Sequence, residues 1–408
     1  MNGVLATTWG YKRLGELTDK IGSGATPRGG KESYKEIGVS LIRSLNIHDL
    51  EFRYANLAKI DDTQAAALAN VDVEARDVLL NITGASIARC AQVPLDVLPA
   101  RVNQHVAILR PKSNILDSRF LSYLLVAKET KEQLLNIGEK AGATRQALTK
   151  EQLQNFHIPL PPLDEQKRIV AVLDQAFAAL DRARAHAEAN LADADELFEN
   201  VLLATFDELV SSAGMRTLAE AASDFSRGKS RHRPRNDPAL YGGAYPFIQT
   251  GDIRRSQGSI REYSQTYNDV GLAQSMLWPV GTVCITIAAN IAETGVLEFE
   301  GCFPDSVIGM VPTPGESTPY YVEYMLRYFA KELKLQGKGS AQDNINLATF
   351  EHAKFPFPPL ERQMAVVEKL DSLAAEVAAL CLNYSRTLED IANLCQSLLQ
   401  KAFSGQLA

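Results

Sequence analysis

Two stretches of the chain repeat apolar residues at alternating steps of four and three. Positions 173, 177, 180, 184, 187, 191, 194, 198, 201 and 205 hold Leu, Phe, Leu, Arg, Ala, Leu, Ala, Phe, Val and Thr. Adding 197 to each number gives Leu370, Ala374, Val377, Cys381, Tyr384, Leu388, Ile391, Cys395, Leu398 and Ala402, the same stripe in the same phase. A heptad stripe of this length predicts two long helices of coiled-coil type. The seam is carried by Leu173, Phe177, Leu180, Leu191, Phe198, Leu370, Val377, Tyr384, Leu388, Ile391 and Leu398, with Arg184 as its one charged interruption. A proline-rich hinge precedes each stripe: Pro159-Leu-Pro-Pro-Leu-Asp-Glu-Gln166, and Pro356 with Pro358, Pro359, Leu360 and Gln363 at matching places. Prolines 161, 162, 358 and 359 cannot lie inside a helix, so the helices are predicted to begin near Asp164 and Glu361.

The segments before the hinges also match each other. Strand-like runs at Val78–Thr83 and Gln104–Arg110 are answered by Val283–Ala288 and Ser306–Val311. A helix predicted from Phe120, Tyr123, Leu124, Ala127, Leu134 and Leu135 is answered by Tyr321, Tyr324, Met325, Tyr328 and Leu333. The chain therefore reads as an α+β protein of two pseudo-repeated mixed α/β domains joined by two long antiparallel helices. The expected boundaries are 1–158 and 211–355 for the domains, and 159–210 and 356–408 for the hinges with their helices. Connectivity gives the direction: a parallel pair would force the second domain to stretch along the whole rod. About 43 residues at 1.5 Å rise predict a rod of roughly 60 Å, and domains held that way could face DNA sites about one turn, ~34 Å, apart.

Composition narrows the function. At 46% apolar and 22% charged residues the chain is of ordinary globular type, without an 18-residue apolar run or a signal-like N-terminus, so it is expected to be cytoplasmic. The net charge of −7 is unevenly spread: residues 151–210 carry 4 basic against 12 acidic groups, whereas residues 1–150 carry 20 against 16. The first helix would repel phosphate; the domain before it would not. Cys90, Cys284, Cys302, Cys381 and Cys395 show no metal-ligand spacing and are expected to be buried free thiols.

No catalytic motif is present. Gly24–Lys31 fails the phosphate-loop pattern at Ala25 and Glu32, and the six histidines are scattered singly. The domains instead hold donor-rich loops suited to a duplex. Arg43 and Asn46, and their counterparts Gln249, Thr250, Asp252 and Arg254, are residue types that read base edges. Arg227, Lys229, Arg231, Arg233 and Arg235 supply five cations within ten residues for phosphate contacts. Thr26, Arg28 and Lys31 lie at the matching place in the first copy, and Arg145 and Lys338 precede the two hinges.

With two divergent domains each closed by such a hinge and a long helix, the chain resembles the specificity subunit of a type I restriction-modification system. The stretches similar to that family are Trp9 with Leu14–Leu17, Ser23–Pro27, Asn81–Arg89, Asn103–Val106 and Ile158–Ile169, and they add Thr83 and Ser86 to the DNA-binding candidates. The resemblance implies two target recognition domains, each reading one half of a bipartite site on double-stranded DNA, with the helices as spacers. It implies modification (methyltransferase) subunits, typically two, as partners, together with a restriction subunit for translocation and cleavage. S-adenosylmethionine, ATP and Mg then belong to those partners, with no cofactor, catalysis or membrane expected of this chain. The competing expectations are a coiled-coil scaffold without DNA specificity, and a self-contained methyltransferase, which would need a cofactor loop and an Asn-Pro-Pro-aromatic motif that the sequence lacks.

Overall fold

Both hinges end in long helices, Leu163–Ser212 and Leu360–Phe403, of 50 and 44 residues. The computed structural model describes residues 9–407 apart from 28, 140–146, 233, 235, 288–290 and 338–346. The chain divides into two compact units, Met1–Glu188 with Arg386–Ala408 and Ala189–Ser385. Each unit therefore combines one mixed domain with a portion of both long helices.

Unit 1 is built on a sheet in the order Thr18–Ser23, Val106–Pro111, Val78–Asn81, Cys90–Gln92. Its central strands are buried on both faces, as their unbroken apolar runs require. A second sheet runs Ala58–Ile60, Val39–Ile42, Ala100–Val102, Asp72–Val73, with Val39–Ile42 and Ala100–Val102 parallel. The helix expected from Phe120 to Leu135 is two helices, Ser118–Val126 and Lys128–Glu139. They are separated at Ala127, whose ψ of 134° is extended and cannot continue the turn.

Unit 2 repeats the first sheet in the order Ala222–Arg227, Val307–Pro312, Val283–Thr286, Thr294–Leu297, and adds Gly258–Ile260 at the edge. The counterpart of the second sheet is an antiparallel pair of Tyr241–Phe247 and Gln265–Tyr267, with a parallel bridge from Phe247 to Cys302. Here the helix Pro319–Gly337 is continuous.

The same glutamine fastens the hinge in each unit. Gln166, fully buried, donates from Nε2 to the Ile115 and Pro161 carbonyls at 2.9 Å each and accepts the Asp117 N–H at 2.8 Å. Gln363, also fully buried, donates to the Glu316 and Pro358 carbonyls at 2.8 and 2.9 Å and accepts the Thr318 N–H at 3.3 Å. A second pair repeats about two turns further on: Tyr123 donates to Asp174, and Tyr324 donates to Asp371 at 2.6 Å. These contacts close otherwise orphaned backbone groups, which fixes where each helix starts.

The long helices are antiparallel within each unit. In unit 1, Ile169, Leu173 and Phe177 share a core with Phe120, Leu399 and Ala402. In unit 2, Phe198, Leu202 and Phe206 share one with Tyr321, Leu370 and Val377. Polar contacts give the direction in unit 2: Arg362 to Glu208 at 2.6 Å, Lys369 to Thr205 at 3.3 Å and Cys381 to Asp195 at 3.6 Å run oppositely along the two helices. Of the seam residues, Leu173, Phe177, Phe198, Leu370, Val377 and Ile391 are buried, and Leu180, Leu191, Tyr384, Leu388 and Leu398 are half-buried. The cysteine expectation needs correction: all five are free, but only Cys90, Cys284 and Cys302 are buried. Cys381 and Cys395 stand on a helix with one solvent face and are half-buried.

Candidate nucleic-acid interface

In unit 1 the strand that pairs parallel with Ala100–Val102, and in unit 2 the strand that ends at the parallel bridge from Phe247 to Cys302, each lead into a braced turn. In unit 1 the strand Val39–Ile42 leads into the short turn Ser44–Asn46. The Asn46 N–H donates to the Arg43 carbonyl at 2.9 Å, and the Arg43 N–H donates to Asn46 Oδ1 at 3.1 Å. Asn46 Nδ2 donates to the Arg53 and Ala55 carbonyls at 2.8 and 3.3 Å. With 0% of its surface exposed, Asn46 cannot reach a base edge, which corrects its expected role as a base reader. Its short polar side chain replaces backbone partners that the sharp turn leaves unmade.

Unit 2 has the same device at the matching place. The Asp252 N–H donates to the Gln249 carbonyl at 3.0 Å and the Gln249 N–H donates to Asp252 Oδ2 at 2.9 Å. The Asp252 carboxylate also accepts from Arg255 Nη2 at 2.6 Å and Ser264 Oγ at 3.2 Å, and the residue is 6% exposed. Asp252 is thus a brace rather than the base reader expected of it. What the two turns present differs: half-buried Arg43 and exposed Leu45 in unit 1, half-buried Gln249 and Thr250 with exposed Arg254 in unit 2. Arg43 is partly engaged by its own unit, with its guanidinium 5.2 Å from the Tyr34 ring centre and its Nη2 donating to the Asn56 carbonyl at 2.5 Å.

Beside the unit 1 turn, side chains from three loops join in a row. Thr26 Oγ1 donates to Gln104 Oε1, Gln104 Nε2 lies 3.2 Å from His105 Nε2, and His105 Nδ1 lies 2.6 Å from Thr83 Oγ1. Thr26 and Thr83, 57 positions apart in sequence, are thereby brought to one polar surface. Gln104 and His105 were missed as site residues, although the stretch Asn103–Val106 that holds them was conspicuous. Ser86 lies half-buried in the turn Gly84–Ser86 that follows Thr83. Gly24 positions Thr26, because a Cβ there would stand 1.6 Å from the Val102 carbonyl oxygen. Gly228, at the equivalent place, would meet the Phe303 carbonyl oxygen at 2.4 Å.

The cationic stretch of unit 2 is held by its backbone. The N–H groups of Arg231 and His232 donate to Gln274 Oε1 at 2.6 and 3.0 Å, and Ser275 Oγ donates to the Lys229 carbonyl at 2.8 Å. Hydrogen bonds from the Ala239 N–H and then from His232 hold the Asp237 carboxyl below its usual range. Arg227 turns back to the Asp305 carbonyl through Nε at 2.8 Å. Lys229 and Arg231 remain exposed, as a phosphate contact requires. Arg28, Arg145, Arg233, Arg235 and Lys338 lie outside the described residues, as does the side chain of Lys31. Among the described residues no cluster of His, Cys, Asp and Glu could hold a metal ion, and no helix is long and apolar enough to cross a membrane.

A family model for the type I restriction modification DNA specificity domain matches residues 7–188 and again 223–380. Over 391 residues the chain is 22% identical to a putative type I restriction enzyme specificity subunit, MjaX, of Methanocaldococcus jannaschii, covering 91% of this chain and 88% of the relative. It is 23% identical to the EcoBI specificity subunit of Escherichia coli, covering 76% and 70%. Among solved structures, a chain from a study of assembly and conformational transition in the type I system aligns with a TM-score of 0.74 at 22% identity, covering 98% of each chain. The HsdS subunit of Thermoanaerobacter tengcongensis aligns at 0.64, also at 22% identity and 98% of each chain.

Proposed function

Because the chain belongs to the type I restriction-modification specificity family and serves DNA recognition in such a complex without itself being the catalyst, we propose that each of its units reads one half of a bipartite DNA site. The observation that carries this is the braced turn. The same fold position bears the same brace, through Asn46 and through Asp252, while the side chains held outward differ. A shared support with divergent exposed groups suits two readers of two different sequences. Thr26, Arg43, Thr83 and Ser86 in unit 1, and Arg227, Lys229, Arg231, Gln249, Thr250 and Arg254 in unit 2, are the described candidates for contact. Arg28, Arg145, Arg233, Arg235, Lys338 and the side chain of Lys31, outside the described residues, remain candidates on the sequence alone.

The domain boundaries 1–158, 159–210, 211–355 and 356–408 follow from this division of labour, with the helices setting the gap between half-sites. The acidic first helix is better suited to protein than to phosphate, and two modification subunits dock along the helices. A restriction subunit joins them for translocation and cleavage. S-adenosylmethionine, ATP and Mg act on those partners, in the cytoplasm where the DNA is. The coiled-coil scaffold and the self-contained methyltransferase have no support from the family match, which covers both domains.

Deleting one heptad from each long helix tests the spacer. Seven residues at 1.5 Å rise shorten a helix by roughly 10 Å, or about three base pairs. Methylation should then move to a site with the same two halves and a shorter gap. Methylation that persists at the original site would contradict the spacer role.

A further inference from the structure

We propose that unit 2 carries a pocket for an unstacked nucleobase of the bound duplex, with Tyr241 as the accessible stacking face and Gln249 and Gln265 as edge-reading amides. This rests on the DNA-recognition role stated above. The pocket is a cavity of about 480 Å³ that opens beside the braced turn, within the range of about 300–1,000 Å³ in which planar small ligands are held. Its floor is a cluster of three aromatic rings. Phe247 and Tyr267 stack with centroids 4.0 Å apart and planes 23° apart, and Tyr241 lies 5.2 Å from Tyr267 and 6.0 Å from Phe247. Tyr267 and Phe247 are buried and Tyr241 half-buried, so the cluster is supported from below and open at Tyr241.

The rim has the chemistry a base edge needs. Gln249 Nε2 donates to Gln265 Oε1 at 2.6 Å, which orients the two amides and leaves Gln249 Oε1 as an acceptor and Gln265 Nε2 as a donor. Thr250 adds a hydroxyl at the same mouth. An adjacent acceptor and donor match a Watson–Crick edge, and an aromatic face accepts the ring of any base. A protein that unstacks a base recovers the cost through such a pocket.

Unit 1 builds nothing equivalent at these positions. Strand pairing equates Leu41 with Phe247, Ala58 with Gln265 and Ile60 with Tyr267. Arg43, the counterpart of Gln249, lies over the Tyr34 ring instead. The aromatic floor is therefore a property of unit 2 and not a requirement of the shared fold.

The test uses the chain assembled with its modification subunits on its own recognition sequence, with 2-aminopurine or pyrrolocytosine placed in turn at every position of both half-sites. One position other than the bases that receive methyl groups should show the emission rise of an unstacked base. Tyr241→Ala should abolish that rise and weaken binding about tenfold. Gln265→Ala, at an exposed position that cannot unfold the core, should reduce the rise and relax base preference at that position alone. A duplex bound and methylated normally with no such rise overturns the pocket and leaves DNA recognition standing, as does a rise untouched by both substitutions. A complex that binds no specific duplex overturns both.

Discussion

Replacing Gln166 or Gln363 by Leu keeps the side-chain bulk and removes three hydrogen bonds in each case. At about 1 kcal/mol per bond, with an added penalty for leaving enclosed N–H and C=O groups unpaired, each change should cost about 3–5 kcal/mol. The effect should be confined to the unit that holds the residue. Amide hydrogen exchange reads it directly: segment 113–125 should lose roughly a hundredfold or more in protection in Gln166→Leu, and segment 314–326 in Gln363→Leu. Gln166→Glu sharpens the test. A carboxylate still accepts the Asp117 N–H but repels the Ile115 and Pro161 carbonyls, so this variant should be at least as damaged as Leu at neutral pH and partly recover in acid, where the carboxyl can donate. A loss of protection below about fivefold, near 1 kcal/mol, would refute the claim that these glutamines fix the helix starts.

Glu323, 2% exposed, accepts from Thr294 Oγ1 at 3.2 Å, and burial raises its carboxyl from 4.5 to about 7 against the opposing charge of Arg327. Between those two values the folded protein holds a proton that the unfolded chain has lost, so stability should fall as pH rises through the window and level off above it. Glu323→Gln should flatten that slope and gain up to about 3 kcal/mol at pH 8; equal slopes in urea titrations of variant and parent would contradict the burial argument. Lys229→Ala and Arg231→Ala should each lower the salt slope of DNA binding by about 1 without changing the sequence recognised. Asn46→Ala and Asp252→Ala should weaken specific binding while leaving the salt slope unaltered, since both residues brace a turn and touch no phosphate. A slope change in the brace variants would reverse that assignment.

The repeat, the hinge prolines and the helix seam were legible in the sequence because each is a periodic or positional signal that needs no tertiary partner. The break at Ala127 was not, because Ala is the best helix former and only packing decides that the chain turns there. Residue type identified Asn46 and Asp252 as base readers, whereas their enclosure assigns them to the backbone of their own turns. Nothing local distinguishes a polar side chain turned inward from one turned outward. The joining of Thr26 to Thr83 through Gln104 and His105 was equally hidden, because the strands that assemble it lie far apart in sequence. The glutamines of the hinges stood out as repeated letters, but their role needed the carbonyls they face.

Sequencing the methylome of cells that express this chain with its modification subunits tests the central claim most directly. Two short specific sequences separated by a fixed nonspecific gap are expected at every modified site, and charge reversal of Lys229 and Arg231 should reduce modification across all of them. A single continuous motif, or no motif dependent on this chain, would contradict the assignment of one half-site to each unit.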